Sequence, residues 1–359
     1  MNFAYACCDI FHNGMLPLQG NLSEECHQAE PFVGSRMIIM EAFNATVLFL
    51  QVVAMLGTHV LFATLGGILC EKVGNLNLGL EGLMLLGASF SFYIALHTGN
   101  PWLALAGGCL ASLAGSLIYA FLTITLRTNQ VVTGLAITIF GTGISSMLGK
   151  TMAGVSLPDR IIQTFGAKAV PLLSAIPVIG PVFFQQSPFV LAAVLVAMLI
   201  YIFYTKTRLG LNTRMIGENP GAADASGINV AKYKYCNILM GGLLCGVGGV
   251  YLSCVYAGIW QNELTAGAGW IAVAMVIFSI WNPLRAILGA YLFGAVRGIG
   301  FKFQGGIPLF GTLLMVNAQI LDMLPYLTTI LVLLFINLRK KKEYNPPASL
   351  GSAYFREDR

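Results

Sequence analysis

Residues 206–235 read KTRLGLNTRMIGENPGAADASGINVAKYKY, and runs of apolar residues lie on both sides of this polar stretch. It holds five basic residues and two acidic ones, namely Lys206, Arg208, Arg214, Lys232, Lys234, Glu218 and Asp224. An excess of lysine and arginine in a short loop between membrane spans is typical of the cytoplasmic side. We therefore predict that residues 205–235 form a cytoplasmic loop between two membrane-spanning helices.

The middle of this loop has the pattern of a short, capped helix. Asn219 is a good N-cap, and Pro220 fits the first helical position, where no backbone donor is needed. An alanine-rich stretch follows, and Gly227 is a typical residue just beyond a helix C-terminus. Seven residues at about 1.5 Å each give a rod of roughly 10 Å, which is too short to be stable in isolation. A small, capped helix of this kind predicts docking into a groove on a partner protein.

The composition of the whole chain places it in a membrane. Of 359 residues, 57% are hydrophobic and 10% are charged, whereas ordinary soluble domains have about 25% charged residues. The net charge of +5 is concentrated in the loop and near the C-terminus, which indicates membrane topology and no nucleic-acid partner. Apolar runs long enough to cross a bilayer recur, and they cover residues 43–69, 76–96, 101–126, 130–148, 188–204, 236–257, 263–281, 283–300 and 324–338.

We predict an all-α polytopic membrane protein with about 9–10 transmembrane helices in the lipid bilayer. Residues 308–322 are also apolar and fit either a span or a re-entrant segment. The transmembrane domain is expected to cover residues 37–338, followed by a cytoplasmic C-terminal tail over 339–359. Residues 1–36 lack lasting periodicity and a signal-peptide pattern. They are either a loosely ordered tail or an upstream misreading, in which case the native chain starts at Met37 or Met40.

A short internal repeat suggests an inverted architecture. The segment from Asn100-Pro101 to Gly107 matches the segment from Asn282-Pro283 to Gly289. The charge pattern places the first copy outside and the second inside, which is typical of the inverted-topology repeats of transport proteins. Chance similarity in a chain rich in glycine, alanine and leucine is the alternative explanation.

A polar segment, EKVGNLNLGLEG, begins at Glu71 and interrupts an apolar region. Polar residues at membrane depth usually face a cavity or a partner, and non-helical backbone is tolerated there only where it is buried or lines water. We predict that Asn75, Asn77 and Glu81 belong to a solute pathway at a broken helix, with Glu71 and Lys72 at the membrane surface. A tight turn between two helices is the alternative.

The spans also carry packing and interface signals. Two GxxxG patterns, at 242–246 and 294–298, predict close helix crossings. Tryptophans are enriched at membrane interfaces, and three are predicted to lie there as anchors, namely Trp260, Trp270 and Trp281.

Signals for catalysis, metal binding or cofactor binding are missing from the sequence. The four histidines are scattered, and the eight cysteines form no CxxC pattern. Gly149-Lys150-Thr151 resembles the end of a phosphate-binding loop, but Ile144 occupies the position that requires glycine. We therefore predict a protein that is not an enzyme, and any ATP that powers it must bind another chain.

Four blocks in order resemble a known family, and any one of them alone is a weak signal. They are GGILCEKVGNLNLGLEGLMLLGA (66–88), RTNQVVTGLAITIFGTGISS (127–146), TRLGLNTRMIGENPGAADASGINV (207–230) and GWIAVAMVIFSIWNPLRAILGAYLFG (269–294). The chain from about Met37 to Arg339 is similar to the permease subunits of bacterial ATP-binding-cassette (ABC) importers. Within the branched-chain amino acid and simple-sugar permease superfamily, it resembles the nucleoside branch. Residues 1–36 do not take part in this resemblance.

The resemblance implies a division of labour in a bacterial cytoplasmic (inner) membrane. A cytoplasmic ABC ATPase binds the ATP, and a substrate-binding lipoprotein or periplasmic protein delivers the solute. A second related permease chain completes the pathway, usually as a heterodimer. The loop helix corresponds to the family's ATPase-coupling segment, which comprises Gly217, Glu218, Asn219, Pro220, Ala222, Ala223, Asp224 and Gly227.

Alternating access driven by the separate ATPase is the mechanism that the resemblance implies, with nucleosides as the solute. An ABC permease for simple sugars such as ribose is the first alternative, because such permeases share the architecture. An ion-coupled secondary transporter is a second alternative, and it predicts transport by the chain alone. A membrane-embedded enzyme would need clusters of acids or histidines within the spans, and the sequence has none.

Overall fold

The computed structural model describes residues 21–168, 180–304, 307–309, 312–314 and 345–355, with isolated positions between 174 and 334. Eleven α-helices are defined in these residues: α1 (Asn21–Lys72), α2 (Leu80–Thr98), α3 (Pro101–Ala120), α4 (Gln130–Met152), α5 (Asp159–Phe165), α6 (Pro188–Lys206), α7 (Arg208–Glu218), α8 (Pro220–Ala225), α9 (Val230–Val250), α10 (Ala268–Phe278) and α11 (Pro283–Gln304). Three π-helical segments accompany them at Phe121–Thr125, Gly180–Phe184 and Tyr251–Ala257. A two-stranded antiparallel hairpin, β1 (Ile307–Leu309) and β2 (Thr312–Leu314), follows.

The chain divides into two compact units after Phe49. The first unit contains the N-terminal part of α1, which is already helical from Asn21, within the segment expected to be a loosely ordered tail. Everything from Leu50 onward belongs to the second unit, which holds all the remaining elements. The alternative, that residues 1–36 are an upstream misreading, stays a prediction.

Seven helices in the described part of the chain are long and apolar enough to cross a membrane. They are Phe43–Lys72, Leu80–Thr98, Pro101–Thr125, Gln130–Met152, Pro188–Lys206, Val230–Ala257 and Pro283–Phe303. The all-α polytopic membrane architecture is therefore confirmed. The predicted runs at 308–322 and 324–338 lie largely outside the described residues, so the count of 9–10 spans stays a prediction.

One predicted span is shorter than expected. Instead of a crossing over 263–281, the structure has α10, whose 11 residues extend about 16 Å. That length is roughly half of a hydrocarbon core of about 30 Å. The preceding residues turn before the helix starts, and Gly267 has a φ of 79° in the left-handed region. Since glycine adopts this conformation without a steric penalty, it sets the point where α10 begins.

Small residues hold the centre of the second unit together. Helices α2 and α9 lie centrally, and a Cβ atom added to Gly87 of α2 would approach the Gly246 Cα of α9 to 2.7 Å. A side chain on Gly242 would likewise collide with Ser116 of α3. The backbones of Gly87 and Gly246 are in contact, and the short side chain of Ser116 packs directly onto Gly242, as small residues allow in membranes. The close crossing predicted from the 242–246 pattern is confirmed.

The two copies of the short repeat adopt the same local structure. Asn100 Oδ1 accepts a hydrogen bond of 3.0 Å from the Trp102 N–H at the start of α3. Asn282 Oδ1 accepts one of 3.0 Å from the Leu284 N–H at the start of α11. Each Asn-Pro pair therefore caps and opens a helix. Their relation as an inverted repeat stays a prediction.

Three predictions of interfacial residues are wrong. Glu71 is only 1% exposed, and its Oε2 accepts a 2.6 Å hydrogen bond from Nε1 of Trp281. Trp281 and Trp260 are also buried, whereas Trp270 is partly exposed. A long-range contact causes the difference, because the turn after α10 covers the end of α1 and the indole satisfies the carboxylate there. Lys72, next to Glu71, is half-buried.

Candidate functional site

The helix predicted in the polar loop is present as α8, six residues long rather than seven. Asn219 has extended backbone, and its Oδ1 accepts a 2.9 Å hydrogen bond from the Ala222 N–H. At the other end, Gly227 has a φ of 79°. The Ile228 N–H donates to the Ala223 carbonyl and the Gly227 N–H to the Asp224 carbonyl, which is the Schellman pattern. The predicted caps at both ends are confirmed.

A second helix, α7, precedes α8 and was not predicted. Thr207 caps it by accepting a 3.0 Å hydrogen bond from the Gly210 N–H. Gly210, Thr213 and Ile216 are on its buried side, and the exposed residues Leu209 and Leu211 are on the other. The amphipathic pattern indicates a helix that lies along the surface of the bundle. It carries α8 at its end, where Asn219 serves both helices as a cap.

Side chains on α8 divide into a buried and an exposed set. Ala223 packs in a small cluster with Val73, Ile216 and Val230, so this side of the helix faces the bundle. Ala222, Ala225 and Ser226 are exposed, as are Glu218 and Asn219 before them. The exposed side is therefore formed by short side chains, and a partner surface can approach its backbone closely.

Residues 345–355, the C-terminal segment, fold back onto this region. The Ser349 N–H and Oγ both donate to the Gly217 carbonyl, at 2.9 and 2.7 Å. The Tyr354 hydroxyl donates to Asp224 Oδ2 at 3.0 Å, and the Ala348 N–H is 3.4 Å from Glu218 Oε2. The expected tail is thus attached to the ends of α7 and α8.

Gly217 also lies against the end of α1. A side chain at Gly217 would collide with the Lys72 carbonyl. Close by, the Gly351 N–H donates to the Gly74 carbonyl at 3.3 Å. Gly74 has a φ of 86°, and a Cβ there would meet Ser349. Glycine at 74 and 217 therefore brings three backbones together: α1, α7 and the C-terminal segment.

After Lys72 the chain leaves the helix until α2 begins at Leu80. Side chains from other helices satisfy this irregular backbone. The Leu76 N–H donates to Gln130 Oε1 at 2.7 Å, the Leu76 carbonyl accepts from the Tyr119 hydroxyl at 2.7 Å, and Thr138 Oγ1 donates to the Leu78 carbonyl at 3.1 Å. The segment is buried in protein and connects two helices that are each long enough to cross a membrane, so the predicted broken helix and the alternative of a turn between two helices both stay open.

Both amides predicted for the pathway are 1% exposed in this single chain. Asn77 Oδ1 accepts from the Gly79 N–H at 2.9 Å, so it caps the break locally. The Asn75 amide nitrogen is 3.5 Å from Thr123 Oγ1, and its oxygen has no hydrogen-bond partner among the described residues. Their pathway role stays a prediction.

Glu81 is the third predicted pathway residue, and it is 6% exposed. Its Oε1 accepts from Thr265 Oγ1 at 2.5 Å and from the Gly267 N–H at 3.2 Å, and its Oε2 accepts from the Gly269 N–H at 2.6 Å. The carboxylate thus occupies the N-terminus of α10 as well as the first turn of its own helix. Negative charge is favoured at both positions. Glu81 joins the two helices that start at breaks in the chain.

Sequence reasoning missed the C-terminal segment and α7. Pro346, Pro347, Gly351 and Tyr354 follow the basic run at the end of the chain, and turn residues with an aromatic are unusual in a solvated tail. The missed helix had Thr207 as a possible N-cap before a stretch with apolar residues at helical spacing. Both signals are local, whereas the residues that the C-terminal segment contacts here lie 130 and 132 positions away in the chain.

The family described as branched-chain amino acid transport system / permease component matches residues 49–333. TsgC13 of Haloferax volcanii, provisionally named a glucose ABC transporter permease, is 35% identical over 313 residues, covering 84% of this chain and 95% of that protein. The nucleoside ABC transporter permease NupC of Lactococcus lactis is 34% identical over 301 residues, with 82% and 93% covered. The guanosine ABC transporter permease NupQ of Bacillus subtilis is 35% identical over 284 residues, with 76% and 86% covered. The chain therefore belongs to the family of permease components of branched-chain amino acid transport systems, and it is a multi-pass membrane transport protein.

Proposed function

We propose that the chain is the permease subunit of an ABC importer that moves nucleosides across a bacterial inner membrane by alternating access. It works with a cytoplasmic ABC ATPase, a second related permease chain as a heterodimer, and a substrate-binding lipoprotein or periplasmic protein. The similarity to two permeases named for nucleosides and guanosine, over most of the chain, carries this proposal. Catalysis of ATP hydrolysis belongs to the partner, which holds the nucleotide.

The geometry of α8 supports its role as the coupling helix. Its exposed side presents Ala222, Ala225 and Ser226, whose short side chains fit a groove on the ATPase. Caps at both ends make the helix a rigid body despite its six residues. The ATPase-coupling segment that we predicted, from Gly217 to Gly227, coincides with α8, its caps and the end of α7.

A movement of α8 can be transmitted to the membrane-spanning helices through backbone contacts. Gly217 touches the backbone of Lys72, the last residue of α1, and Ser349 connects both to Gly74. The irregular segment that contains Asn75 and Asn77 starts there, and Glu81 then connects it to α10. A push on α8 is expected to shift the helix break, because packed backbones transmit displacement. Asn75, Asn77 and Glu81 would meet a solute only after such a rearrangement.

Uptake measurements test the choice of solute. The chain is expressed with its ATPase, second permease and binding protein in cells that lack nucleoside uptake, and entry of labelled uridine or adenosine is followed. We expect excess unlabelled nucleoside to suppress entry and ribose or glucose to leave it unchanged. Competition by a sugar alone would replace nucleosides by simple sugars, which the similarity to TsgC13 favours as the second candidate.

Charge reversal at the end of α7 tests the coupling role. Glu218 is exposed beside α8, and Glu263 is exposed in the loop before α10. We expect Glu218→Lys to abolish both uptake and association with the ATPase, while Glu263→Lys, the same chemical change elsewhere, preserves the association. Both variants should insert normally. Normal uptake by the Glu218→Lys variant, or accumulation of solute by the chain alone under an ion gradient, would refute the coupling assignment.

A further inference from the structure

A cavity of about 390 Å³ lies at the end of the bundle that carries α8. Its wall combines Thr123 and Arg127 after α3, the loop from Asp224 to Asn229, the start of α9 and Tyr354 of the C-terminal segment. Volumes of this size are in the range of small-molecule sites, about 300–1,000 Å³. Thr123 of its wall is also the neighbour of Asn75 in the irregular segment after α1, whereas Ala222, Ala225 and Ser226 of the exposed side of α8 do not line the cavity.

Lys234 lines this cavity. It is 4% exposed and lies in the second turn of α9. It makes no hydrogen bond or ion pair within the part of the chain that the structure describes. Burying an ammonium group without a counter-charge is unfavourable, and buried charges in proteins are normally paired. The Lys234 side chain is almost wholly enclosed, whereas its ammonium reaches the cavity without a counter-charge among the described residues, and this makes it a favourable donor to an anion.

The start of α9 faces the same cavity and adds favourable potential. Asn229 caps the helix by accepting a 3.0 Å hydrogen bond from the Lys232 N–H. The N–H groups of Val230 and Ala231, which line the cavity, have no acceptor among the described residues. This helix is 21 residues long, and helix N-termini bind phosphate groups through free N–H groups and the helix dipole.

Two further charges lie at the edge of the cavity. The Arg127 guanidinium stacks 4.7 Å from the centroid of the Phe355 ring and lines the same wall. Asp224 also lines it, but its Oδ2 already accepts a hydrogen bond from the Tyr354 hydroxyl. Two cations and a helix N-terminus therefore line the cavity together with one carboxylate that is already hydrogen-bonded. The local charge is positive, which favours a ligand with more than one negative charge.

We propose that this cavity binds a phosphate-bearing anion, with Lys234 and the first N–H groups of α9 as its principal donors and Arg127 at the rim. A phosphate group has enough charge and enough acceptor oxygens to engage all of them at once. The bound group would join the loop after α8, the segment after α3 and the C-terminal segment. It would therefore stiffen the attachment of the coupling helix. The proposal depends on the described geometry alone and is independent of the transported solute.

A lysine that merely extends its ammonium to water needs no ligand, and the comparison of two lysines separates these explanations. The purified full chain is studied in neutral detergent, and thermal unfolding is followed while inorganic phosphate is added. Lys232→Gln is the matched control, because Lys232 is exposed on the same helix two positions away and does not line this cavity. Lys234→Gln should be at least as stable as wild type without phosphate, since it removes an unpaired buried charge.

We expect saturable stabilisation of wild type and Lys232→Gln by phosphate, with affinity about tenfold or more weaker in Lys234→Gln. Arg127→Gln should show a smaller loss, and it provides a second variant at an exposed position. A parallel series in nanodiscs compares phosphatidylcholine alone with added phosphatidylglycerol. A Lys234-dependent effect of free phosphate supports a soluble ligand, and one confined to phosphatidylglycerol supports a lipid headgroup. Equal responses of all variants, or no saturable response in either series, would overturn the proposal.

Discussion

Replacing Glu81 by glutamine tests whether the two helices that begin at chain breaks are held together by one carboxylate. Glu81 accepts hydrogen bonds from Thr265, from the Gly267 N–H and from the Gly269 N–H, and the last two reach different oxygens. Glutamine has the same shape but only one oxygen, and its amide group is a donor. At least one backbone N–H at the start of α10 would therefore face another donor.

The size of the effect follows from these contacts. A hydrogen bond to a charged group contributes about 1.5–3 kcal/mol, and leaving the buried donor unsatisfied costs about 1–3 kcal/mol. Loss of the negative charge at the helix N-terminus removes about 0.3–1 kcal/mol more of stabilisation. Relief of the desolvation cost of a buried carboxylate offsets part of the sum. We expect Glu81→Gln to lower the free energy of unfolding by about 3 kcal/mol.

Titration of the purified chain from mild detergent into dodecyl sulfate, followed by tryptophan fluorescence, measures this difference. Glu263→Gln makes the same chemical change at an exposed side chain in the loop before α10, and surface changes usually stay within about 0.5 kcal/mol. A Glu81→Gln variant as stable as this control would refute the capping role. If it were that stable and still lost uptake, Glu81 would act on the solute instead.

Three further changes probe the attachment and the caps of α8. Asn219→Ala removes the hydrogen bond from the Ala222 N–H and should destabilise α8 by about 1 kcal/mol. We expect less ATPase to copurify with this variant, and an unchanged amount of ATPase would contradict the role of the cap. In Gly227→Ala the new methyl group has no neighbour within 4 Å, so only the φ of 79° opposes the change. We expect the free energy of unfolding to fall by about 1–2 kcal/mol. An unchanged free energy of unfolding would show that the loop relaxes. Tyr354→Phe deletes the hydrogen bond to Asp224 and should increase proteolysis of the C-terminal segment without loss of insertion; equal cleavage rates would show that this bond does not hold the segment.

The features that sequence reasoning predicted correctly are those set by short-range chemistry. Asn219 and Gly227 specify the ends of α8 through hydrogen bonds to residues within a few positions. Polar residues between 71 and 82 predicted irregular backbone for a similar reason, because such backbone needs glycine and amide side chains nearby, but they did not distinguish a broken helix from a turn between two helices. Long apolar runs likewise predicted the spans, since the bilayer sets their length. In each case the information lies within about one turn or one span of the feature.

The features that it missed depend on contacts between distant parts of the chain. Nothing near Glu71 indicates that Trp281 covers it, and the two are 210 positions apart. The half-length of α10 depends on Glu81, which replaces the hydrogen bonds that a longer helix would have made at its start. Hydropathy reports only that a segment is apolar, and it does not distinguish a full crossing from a half-helix buried among others.

The glycines at 74 and 217 allow α8 to be attached through direct backbone contacts. Between larger residues, side chains form a layer that can repack, and part of a displacement is absorbed there. At these two positions the backbones of α1, α7 and the C-terminal segment touch directly, so little deformable material separates them. Under the proposed coupling role, a force on α8 would reach Lys72, where α1 ends and the irregular segment starts. Beyond that boundary, Leu76 and Leu78 form hydrogen bonds with side chains of other helices in place of a helical ladder. The proposed coupling therefore requires direct backbone contact at one end of this segment and a change of side-chain hydrogen bonds along the rest of it.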